Sequence, residues 1–254
     1  MNKRAFTVIL PAAGNSTRFA LGDKLLVQIQ GLSILQRSVE LFTRRNDVAV
    51  VVIATAPDRI PIYRDHLQGI LHNKPLHIVP GGRERWESVQ KALNSGYVTT
   101  DFVAVHDAAR PLTPVMVIDK AFSAAIAHGA ALPLLPEPAT LKRMDDSQWV
   151  QSTVSRAGLY QAQTPQCFHT AVLREAFAMA HQSGQLATVT DDAQVVELSG
   201  KKVIASPGSP LNIKITTVED ITLAGAILQF LRSNRPCPKS EPSDSTAKHQ
   251  GIAP

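Results

Sequence analysis

The chain has 254 residues, of which 44% are hydrophobic and 19% charged, enough to fill the core of one large domain or two small ones. Its formal net charge of +5 favours anionic partners, yet the basic residues are scattered, with no run of five or more, and aromatics are only 5%. We therefore expect small phosphorylated ligands and treat nucleic acid as the weaker alternative.

Strand-like and helix-like segments alternate along the chain. The first half predicts a strand at Thr7–Leu10, a helix carrying Leu32, Leu35, Val39 and Phe42, a strand at Val48–Thr55, a helix at Pro57–Leu71, a strand at Leu76–Val79 and a helix at Glu84–Asn94. The second half predicts a strand at Phe102–Val105, a helix at Val115–His128, strands at Ala130–Leu135, Val203–Ala205 and Ile213–Thr216, and a closing helix at Val218–Leu231. Strands separated by helices form βαβ units, so we predict an α/β, Rossmann-like fold with a mostly parallel sheet flanked by helices on both faces.

One segment, Thr140–Arg156, breaks this alternation because it is polar, lacks a helical period and carries Thr, Trp and Val in patches. We predict a projecting β-arm at about residues 138–158. Such an arm needs a partner to cover it, which favours a homodimer. Residues 233–254 contain four prolines and many polar residues, so we predict a single domain at residues 1–232 and a disordered tail after it.

The cysteine content and the apolar runs bear on the cellular setting. The two cysteines, Cys167 and Cys237, form neither a metal-ligand spacing nor a disulfide framework, which indicates a reducing, cytoplasmic environment. The apolar run Ala5–Leu10 is too short for a typical signal peptide and is better used as the first strand. The late apolar segment Ile221–Leu231 is too short to span a bilayer, so no membrane partner is expected.

A small-residue loop, Pro11–Gly14, directly follows the first predicted strand, and the cations Arg18 and Lys24 come after it. Ligands of open α/β sheets bind beyond the carboxyl ends of the strands, and small residues let backbone N–H groups approach phosphates. The loop matches neither the GxGxxG nor the Walker pattern. Phosphate binding is favoured over the alternative of an ordinary glycine turn with two solvated cations.

Further motifs extend this pattern over about Thr7–Leu231. In chain order they are Pro11-Ala12-Ala13-Gly14 with Arg18 and Lys24, Gly81-Gly82-Arg83-Glu84-Arg85 with Ser88-Val89, Val105-His106-Asp107-Ala108-Ala109-Arg110-Pro111, Thr140-Leu141-Lys142, Thr153-Val154-Ser155-Arg156, Thr164-Pro165-Gln166 and Asn212-Ile213-Lys214-Ile215-Thr216. Each motif alone is weak, but the ordered set resembles the methylerythritol phosphate cytidylyltransferase family of nucleotidyltransferases.

The resemblance implies a role for each matching residue. The nucleotide would be bound by Pro11, Ala12, Ala13, Gly14, Gly82, Ser88, Asp107 and Ala108, and the acceptor by Arg110, Thr140, Arg156, Thr164 and Lys214. The residues implied in catalysis are Arg18, Lys24, Arg156 and Lys214. Asp107 would hold Mg²⁺ as the cofactor, and Thr140 and Arg156 would reach across a dimer.

The implied reaction joins CTP to 2-C-methyl-D-erythritol 4-phosphate and releases pyrophosphate, in the non-mevalonate route to isoprenoid precursors. The nucleophile is a phosphate oxygen that is already anionic at neutral pH, so no general base is needed. Catalysis would then rest on positioning and on the placement of cations around the triphosphate.

Several of these residues also have purely structural interpretations. These are a turn cap for Asp107, loop ordering by an ion pair for Arg110, edge-strand protection for Lys214, a surface ion pair for Arg156 and a plain strand residue for Thr140. We interpret His106 as a core histidine, Arg83-Glu84-Arg85 read alone as a solvated helix start, and Thr190-Asp191-Asp192 as a helix cap.

The sequence departs from the family pattern at four places, and these keep rival functions open. Thr17 stands where a second arginine is frequent, Asp23 replaces a proline before the lysine, Leu25-Leu26 replace a polar and aromatic pair, and Ala139 stands where an aspartate is common. Ala139 keeps another acceptor such as ribitol 5-phosphate open. The other rivals are a nucleotide-binding module without turnover and a nicotinamide-dependent oxidoreductase, which the missing GxGxxG disfavours.

Overall fold

The computed structural model describes residues 5–14, 22–68 and 74–233. Its strands are β1 (Phe6–Pro11), β2 (Gln28–Ile29), β3 (Leu32–Ser33), β4 (Val48–Thr55), β5 (Leu76–Pro80), β6 (Phe102–Val105), β7 (Ala130–Pro136), β8 (Leu141–Met144), β9 (Val150–Val154), β10 (Tyr160–Ala162), β11 (Gln166–His169) and β12 (Ile204–Pro207). Its α-helices are α1 (Ile34–Thr43), α2 (Ile60–Leu67), α3 (Arg85–Leu93), α4 (Val115–His128), α5 (Thr170–Gln182), α6 (Asp192–Leu198) and α7 (Glu219–Ser233). Short 3₁₀ turns lie at Lys24–Leu26, Pro57–Arg59 and Gln185–Thr188.

A central sheet joins eight of the described strands. Its order is β10-β7-β11-β6-β1-β4-β5, with β12 paired to β7 as well. The strands β5, β4, β1 and β6 run parallel to one another, and so do β7 and β12, whereas β10 and β11 run antiparallel to their neighbours. The parallel strands β1, β4, β5 and β6 therefore bring their carboxyl ends to the same edge of the sheet, where the segments that follow them can meet.

The sheet is buried on both faces, as the β-branched run of β4 predicts. Side chains alternate along β1: Val8 and Leu10 join a core cluster with α1, α2, α4 and α7, whereas Ile9 joins a second cluster with α3, α5 and α6. Burying one such side chain contributes about 1.5–3 kcal/mol, so both layers contribute substantially to stability. The helices thus form one layer on each face, which confirms the predicted fold class.

Local sequence signals determine where α1 begins and where α4 ends. Ser33 accepts a hydrogen bond from the N–H of Gln36 (3.1 Å), and the Gln36 side chain accepts one from the N–H of Ser33 (2.9 Å), which forms a capping box before α1. The longer α4 ends at Gly129, whose φ of 86° is left-handed. A side chain would be strained there, so glycine ends the helix at the position the sequence predicted.

The arm predicted at about residues 138–158 is present as a hairpin of β8 and β9, which pair antiparallel and form a sheet of their own. Residues of both strands are mostly exposed, among them Val150 (59% exposed), and so is Trp149 (75%) just before β9. Among the described residues no helix is long and apolar enough to cross a membrane.

Three predictions about elements need correction or completion. The helix predicted at Pro57–Leu71 begins as a 3₁₀ turn and is α-helical only at Ile60–Leu67, while residues 69–73 lie outside the described part. The strand predicted at Ile213–Thr216 is wrong, because this segment joins no sheet. Leu32, predicted to lie in a helix, lies in β3 instead, and the helix begins at Ile34. The helix α5 and the strands β2, β3, β10 and β11 were not predicted. The predicted tail lies outside the described residues from position 234 onward.

Candidate active site

The small-residue loop after β1 lies at the carboxyl edge of the sheet, as predicted. The N–H of Ala12 donates to the carbonyl of Ala54 (2.7 Å), and the Thr55 hydroxyl donates to the carbonyl of Ala12 (3.3 Å). These bonds tie the loop to the end of β4. Arg18 lies outside the described residues, so its predicted catalytic role stays a prediction.

A cavity of about 250 Å³ opens at this edge. It is lined by Pro11, Ala12, Ala13, Gly14, Lys24, Leu25, Arg85, Ser88, Asp107, Ala108, Ala109, Lys214 and Thr216. Most of the residues predicted to bind the nucleotide, together with the predicted catalytic residues Lys24 and Lys214, therefore line one space. The fold has brought them together from the ends of β1 and β6, from α3 and from the segment before α7.

Asp107, which follows β6, is the centre of charge in this cavity. Its Oδ1 lies 3.0 Å from Nε of Arg85, and its Oδ2 lies 3.0 Å from Nζ of Lys214 and 3.6 Å from Nε of Arg110. Burial alone would raise the pKa of Asp107, but these three cations, Arg85 most strongly, hold it well below its usual range. The carboxylate of Asp107 is therefore ionised at neutral pH.

A buried hydrogen-bond chain supports the loop that carries Asp107. The hydroxyl of Thr164 accepts from the N–H of Asp107 (3.1 Å) and is 3.0 Å from Nδ1 of His106, whose Nε2 is 3.0 Å from the carbonyl of Arg110. A carbonyl can only accept, so Nε2 carries the proton and the Thr164 hydroxyl donates to Nδ1. Burial lowers the pKa of His106 to about 4, which keeps the ring neutral. The interpretation of His106 as a core histidine is confirmed.

Arg110 orders the loop that carries Asp107 and is not among the residues that line the cavity in the described part of the chain. Its Nη1 donates to the carbonyl of Asn212 (2.7 Å), and its Nε lies near Asp107. Burial lowers the pKa of Arg110 from its ordinary value. Arg110 thus has the ion pair of the structural interpretation, while its predicted contact with the acceptor stays a prediction, as does that of the buried Thr164.

The segment that carries Lys214 is held by one backbone hydrogen bond and by two side chains rather than by pairing with a neighbouring strand. The N–H of Ile215 donates to the carbonyl of Ala109 (2.8 Å), and Nζ of Lys24 donates to the carbonyl of Ile215 (3.2 Å). With Arg110 bound to the carbonyl of Asn212, these contacts fix the backbone across the end of the sheet. They explain why the apolar alternation here does not produce the predicted strand.

Gly81 and Gly82 lie where the end of β5 turns into α3. The N–H of Gly82 donates to Oγ of the buried Ser88 (3.0 Å), which itself donates to the carbonyl of Glu84 (3.2 Å). A Cβ at Gly81 would lie 2.8 Å from Cβ of Ala13, and one at Gly82 would lie 2.1 Å from Cβ of Glu87. Glycine is therefore required for this close packing. A groove of about 820 Å³ beside it shares Ala13 with the first cavity.

The two predicted residues on the arm lie apart from this cavity. Thr140 and Arg156 are exposed, and Arg156 donates to the carbonyl of Pro138 at the base of the arm. Neither is among the residues that line the cavity in the described part of the chain. Within one chain the site is thus assembled without them.

Sequence reasoning missed Arg85 and Asp192. Arg85 was interpreted as part of a solvated helix start, but it is partly buried between Asp107 and Asp192, with its Nη1 2.8 Å from Oδ2 of Asp192. Asp191 does cap α6, accepting from the N–H of Gln194 (2.9 Å), whereas Asp192 is buried behind the site. The one available signal was that two acids stand at a cap that needs only one.

The sheet is mostly parallel, and a small-residue loop lies at its carboxyl edge. Beside that loop a carboxylate is surrounded by cations. This arrangement defines a nucleotide-binding protein of the nucleotidyltransferase class. The sequence profile of the IspD family, 2-C-methyl-D-erythritol 4-phosphate cytidylyltransferase, matches residues 6–230. The chain belongs to this family, which confirms the resemblance noted from its motifs.

Individual relatives agree with this assignment. A protein from Saccharopolyspora erythraea named 2-C-methyl-D-erythritol 4-phosphate cytidylyltransferase is 40% identical over 226 residues, which are 87% of this chain and 97% of the relative. The crystal structure of the Thermus thermophilus protein of that name is 32% identical, with a TM-score of 0.73 over 89% of this chain and 99% of that one. The corresponding Francisella tularensis structure is 28% identical, with a TM-score of 0.76 over 88% and 99% of the two chains.

Proposed function

We propose that this chain transfers the cytidylyl group of CTP to 2-C-methyl-D-erythritol 4-phosphate and releases pyrophosphate. The observation that carries the proposal is the cavity in which the small-residue loop, Lys24 and Lys214 face the charged group around Asp107, in a chain of this family. An anionic phosphate must approach an anionic triphosphate in this reaction, so cations preassembled beside a backbone loop are what the chemistry requires.

In this proposal, different residues bind the nucleotide and the acceptor. The loop Pro11–Gly14 and Lys24 bind the triphosphate. The groove lined by Gly82 takes the ribose and the base, with Ser88 in the wall of the adjoining cavity. Lys214 binds the phosphate of the acceptor and aligns it with the α-phosphate. The nucleophile carries its charge before the reaction begins, so no side chain has to remove a proton.

Magnesium fits this site as an ion completed by the nucleotide. Asp107 is the carboxylate that lines the cavity, and the described residues contain no cluster of three His, Cys, Asp or Glu side chains that could hold a metal alone. Mg²⁺ commonly binds through one or two carboxylates plus the phosphates of its substrate, so a single carboxylate suffices. A bound ion would supply positive charge along the triphosphate.

The first test is pyrophosphate release with CTP, Mg²⁺ and methylerythritol phosphate, with ribitol 5-phosphate as the rival acceptor and ATP, GTP and UTP as rival nucleotides. We expect release with CTP and methylerythritol phosphate alone. Release only with ribitol 5-phosphate would move the acceptor assignment to the rival that Ala139 keeps open. No release with any pair, combined with CTP binding, would identify a nucleotide-binding module instead.

The second test concerns Lys24. Lys24→Ala should lower turnover by about a hundredfold or more, because a preorganised cation near the developing charge is worth about 2.7–4 kcal/mol. The unfolding free energy should fall by only about 1 kcal/mol, because the side chain is partly buried and the variant loses its hydrogen bond to the carbonyl of Ile215. Near-normal turnover in this variant would remove Lys24 from the catalytic group.

We further propose a homodimer in which Arg156 and Thr140 of each arm complete the partner's site. The exposed side chains of Trp149 and Val150 on the hairpin support this, because a pairing surface would cover them. The cytoplasmic location stays a prediction from the cysteine content, and Cys167 is a buried free thiol.

Mixed dimers test this arrangement directly. Arg156→Ala and Lys214→Ala would each inactivate a homodimer, but coexpressed chains form mixed dimers with one intact site if Arg156 acts across the interface. Random pairing then leaves about a quarter of the wild-type sites. If Arg156 acts within its own chain, mixed dimers contain no intact site and activity stays absent.

A further inference from the structure

The carboxylate of Asp192 is an unusual group for a protein interior. It lies in the first turn of α6 with 1% of its surface exposed, and within the described residues neither oxygen has an aligned hydrogen-bond donor. Its contact is the ion pair with Nη1 of Arg85 at 2.8 Å. Burying an ion costs several kcal/mol after relaxation, so the stability of α6 does not account for a charged residue here. Asp191 already caps this helix.

Arg85 binds two carboxylates with two different nitrogens. Its Nε contacts Oδ1 of Asp107 at 3.0 Å and its Nη1 contacts Oδ2 of Asp192 at 2.8 Å. The contact with Asp107 is a hydrogen bond and the contact with Asp192 is an ion pair, so together they hold the planar guanidinium between the two carboxylates. The bridge joins the start of α3, the end of β6 and the start of α6 behind the cavity.

This bridge makes the two oxygens of Asp107 inequivalent. Oδ1 is held by Arg85, whose side chain is 27% exposed and fixed from behind by Asp192. Oδ2 faces Nζ of Lys214, whose side chain is 42% exposed, with Arg110 slightly farther away. Lys214 can exchange its partner for a phosphate more readily than Arg85 can. Ligand exchange at Asp107 is therefore directed to Oδ2.

We propose that Asp192 is a positioning residue for nucleotidyl transfer: it holds Arg85 between two carboxylates, which anchors Oδ1 of Asp107 and leaves Oδ2 for the magnesium ion of the nucleotide complex. Asp192 also offsets the charge of Arg85. Without it, the group formed by Asp107, Arg85, Arg110 and Lys214 would lose that compensation and present a more positive site. The site would then bind a divalent cation less well and a free triphosphate at least as well. This inference rests on the proposed function.

The test compares Asp192→Asn with Asp191→Asn, which makes the same change of charge at the neighbouring position. Asp191 bonds the N–H of Gln194 and the side chain of Gln166, and it forms no ion pair with Arg85 in the described part of the chain. CTP binding is measured by calorimetry in EDTA and in Mg²⁺, and turnover is measured as a function of Mg²⁺ concentration. The calorimetric part requires neither the acceptor nor turnover, so it stands even if the proposed reaction fails.

For Asp192→Asn we expect the Mg²⁺ concentration for half-maximal turnover to rise about tenfold or more, in the range found when residues behind metal ligands are removed. Binding of CTP in EDTA should be unchanged or tighter. Asp191→Asn should leave all three quantities unchanged. An unaltered Mg²⁺ requirement in folded Asp192→Asn would overturn the proposal, and so would a parallel loss of CTP binding with and without metal.

A second variant covers the case in which Asp192→Asn does not fold. Arg85→Lys keeps the charge but cannot contact both carboxylates with a planar fork. It should show the same rise in the Mg²⁺ requirement with a smaller change in CTP binding in EDTA. A wild-type Mg²⁺ requirement in Arg85→Lys would overturn the proposal by itself.

Discussion

Replacing His106 by Gln should remove a defined part of the protein's sensitivity to acid. His106 is fully buried and neutral, and burial lowers its pKa to about 4. In the unfolded chain an imidazole has a pKa of about 6.5. As the pH falls below about 6.5 the unfolded state therefore takes up a proton that the folded state refuses until about pH 4. The stabilisation is complete above that window and is lost as the pH falls through it.

The size of the effect follows from the two pKa values. Between pH 7 and pH 5, linkage predicts that this one histidine removes about 2 kcal/mol of unfolding free energy. Asp107 adds almost nothing in this interval, because even an unperturbed aspartate titrates near pH 3.9. His106→Gln keeps an amide N–H that can donate to the carbonyl of Arg110, but it cannot titrate. The variant should lose about 2 kcal/mol less than the wild type between the two pH values.

Urea unfolding at pH 7 and pH 5 measures both differences. If His106→Gln and the wild type lose the same free energy between pH 7 and pH 5, the buried ring is not the group responsible and the hydrogen-bond chain through Thr164 has been misread.

Two other predictions concern the packing at Gly82 and the contacts of Asp23. Gly82→Ala should lower the free energy of unfolding by about 1–3 kcal/mol and weaken CTP binding, because the new Cβ would overlap Glu87. Urea unfolding and CTP titration measure the two effects. Gly225→Ala is the control, because a Cβ at Gly225 would meet open space. Asp23→Asn should cost about 1–3 kcal/mol in urea unfolding, because Asp23 accepts from the Tyr63 hydroxyl (2.7 Å) and pairs with Arg59 (3.4 Å). A smaller loss than in Tyr63→Phe would contradict the view that Asp23 is the centre of this cluster.

The fold was predictable where one physical requirement dominated the local sequence. The β-branched run Val48–Thr55 has no alternative to a strand buried on both faces, and the structure gives it the predicted bounds. The helix α5 was predictable in principle, because Leu173, Ala176, Phe177 and Ala180 recur at helical spacing and are all buried, but no element was assigned to them. The segment Ile213–Thr216 was not, since its conformation depends on long-range side-chain contacts.

The site was predictable to the extent that its residues belong to motifs. Asp107, Lys24 and Lys214 were identified in this way, and the structure brings them to one cavity. Arg85 was identified as part of a motif but was given the wrong role, because a cation at a helix start usually faces solvent. Its partner Asp192 comes from a distant part of the chain, and only the sheet topology places the two side chains together.

The acids of this site also explain how its cations can be assembled before a ligand arrives. Arg85, Arg110 and Lys214 all approach Asp107, and three like charges so close would repel one another in a partly buried space. Asp107 and Asp192 offset that repulsion, so the cations can be preorganised in the free protein and need not move together during the reaction. In the proposed reaction, we expect the charge of an entering triphosphate to take over this function from Asp107, and Lys214, the most exposed of the three cations, to become available to the second substrate. In this proposal, the two carboxylates that offset the charge of the cations in the free protein also determine which cation can leave.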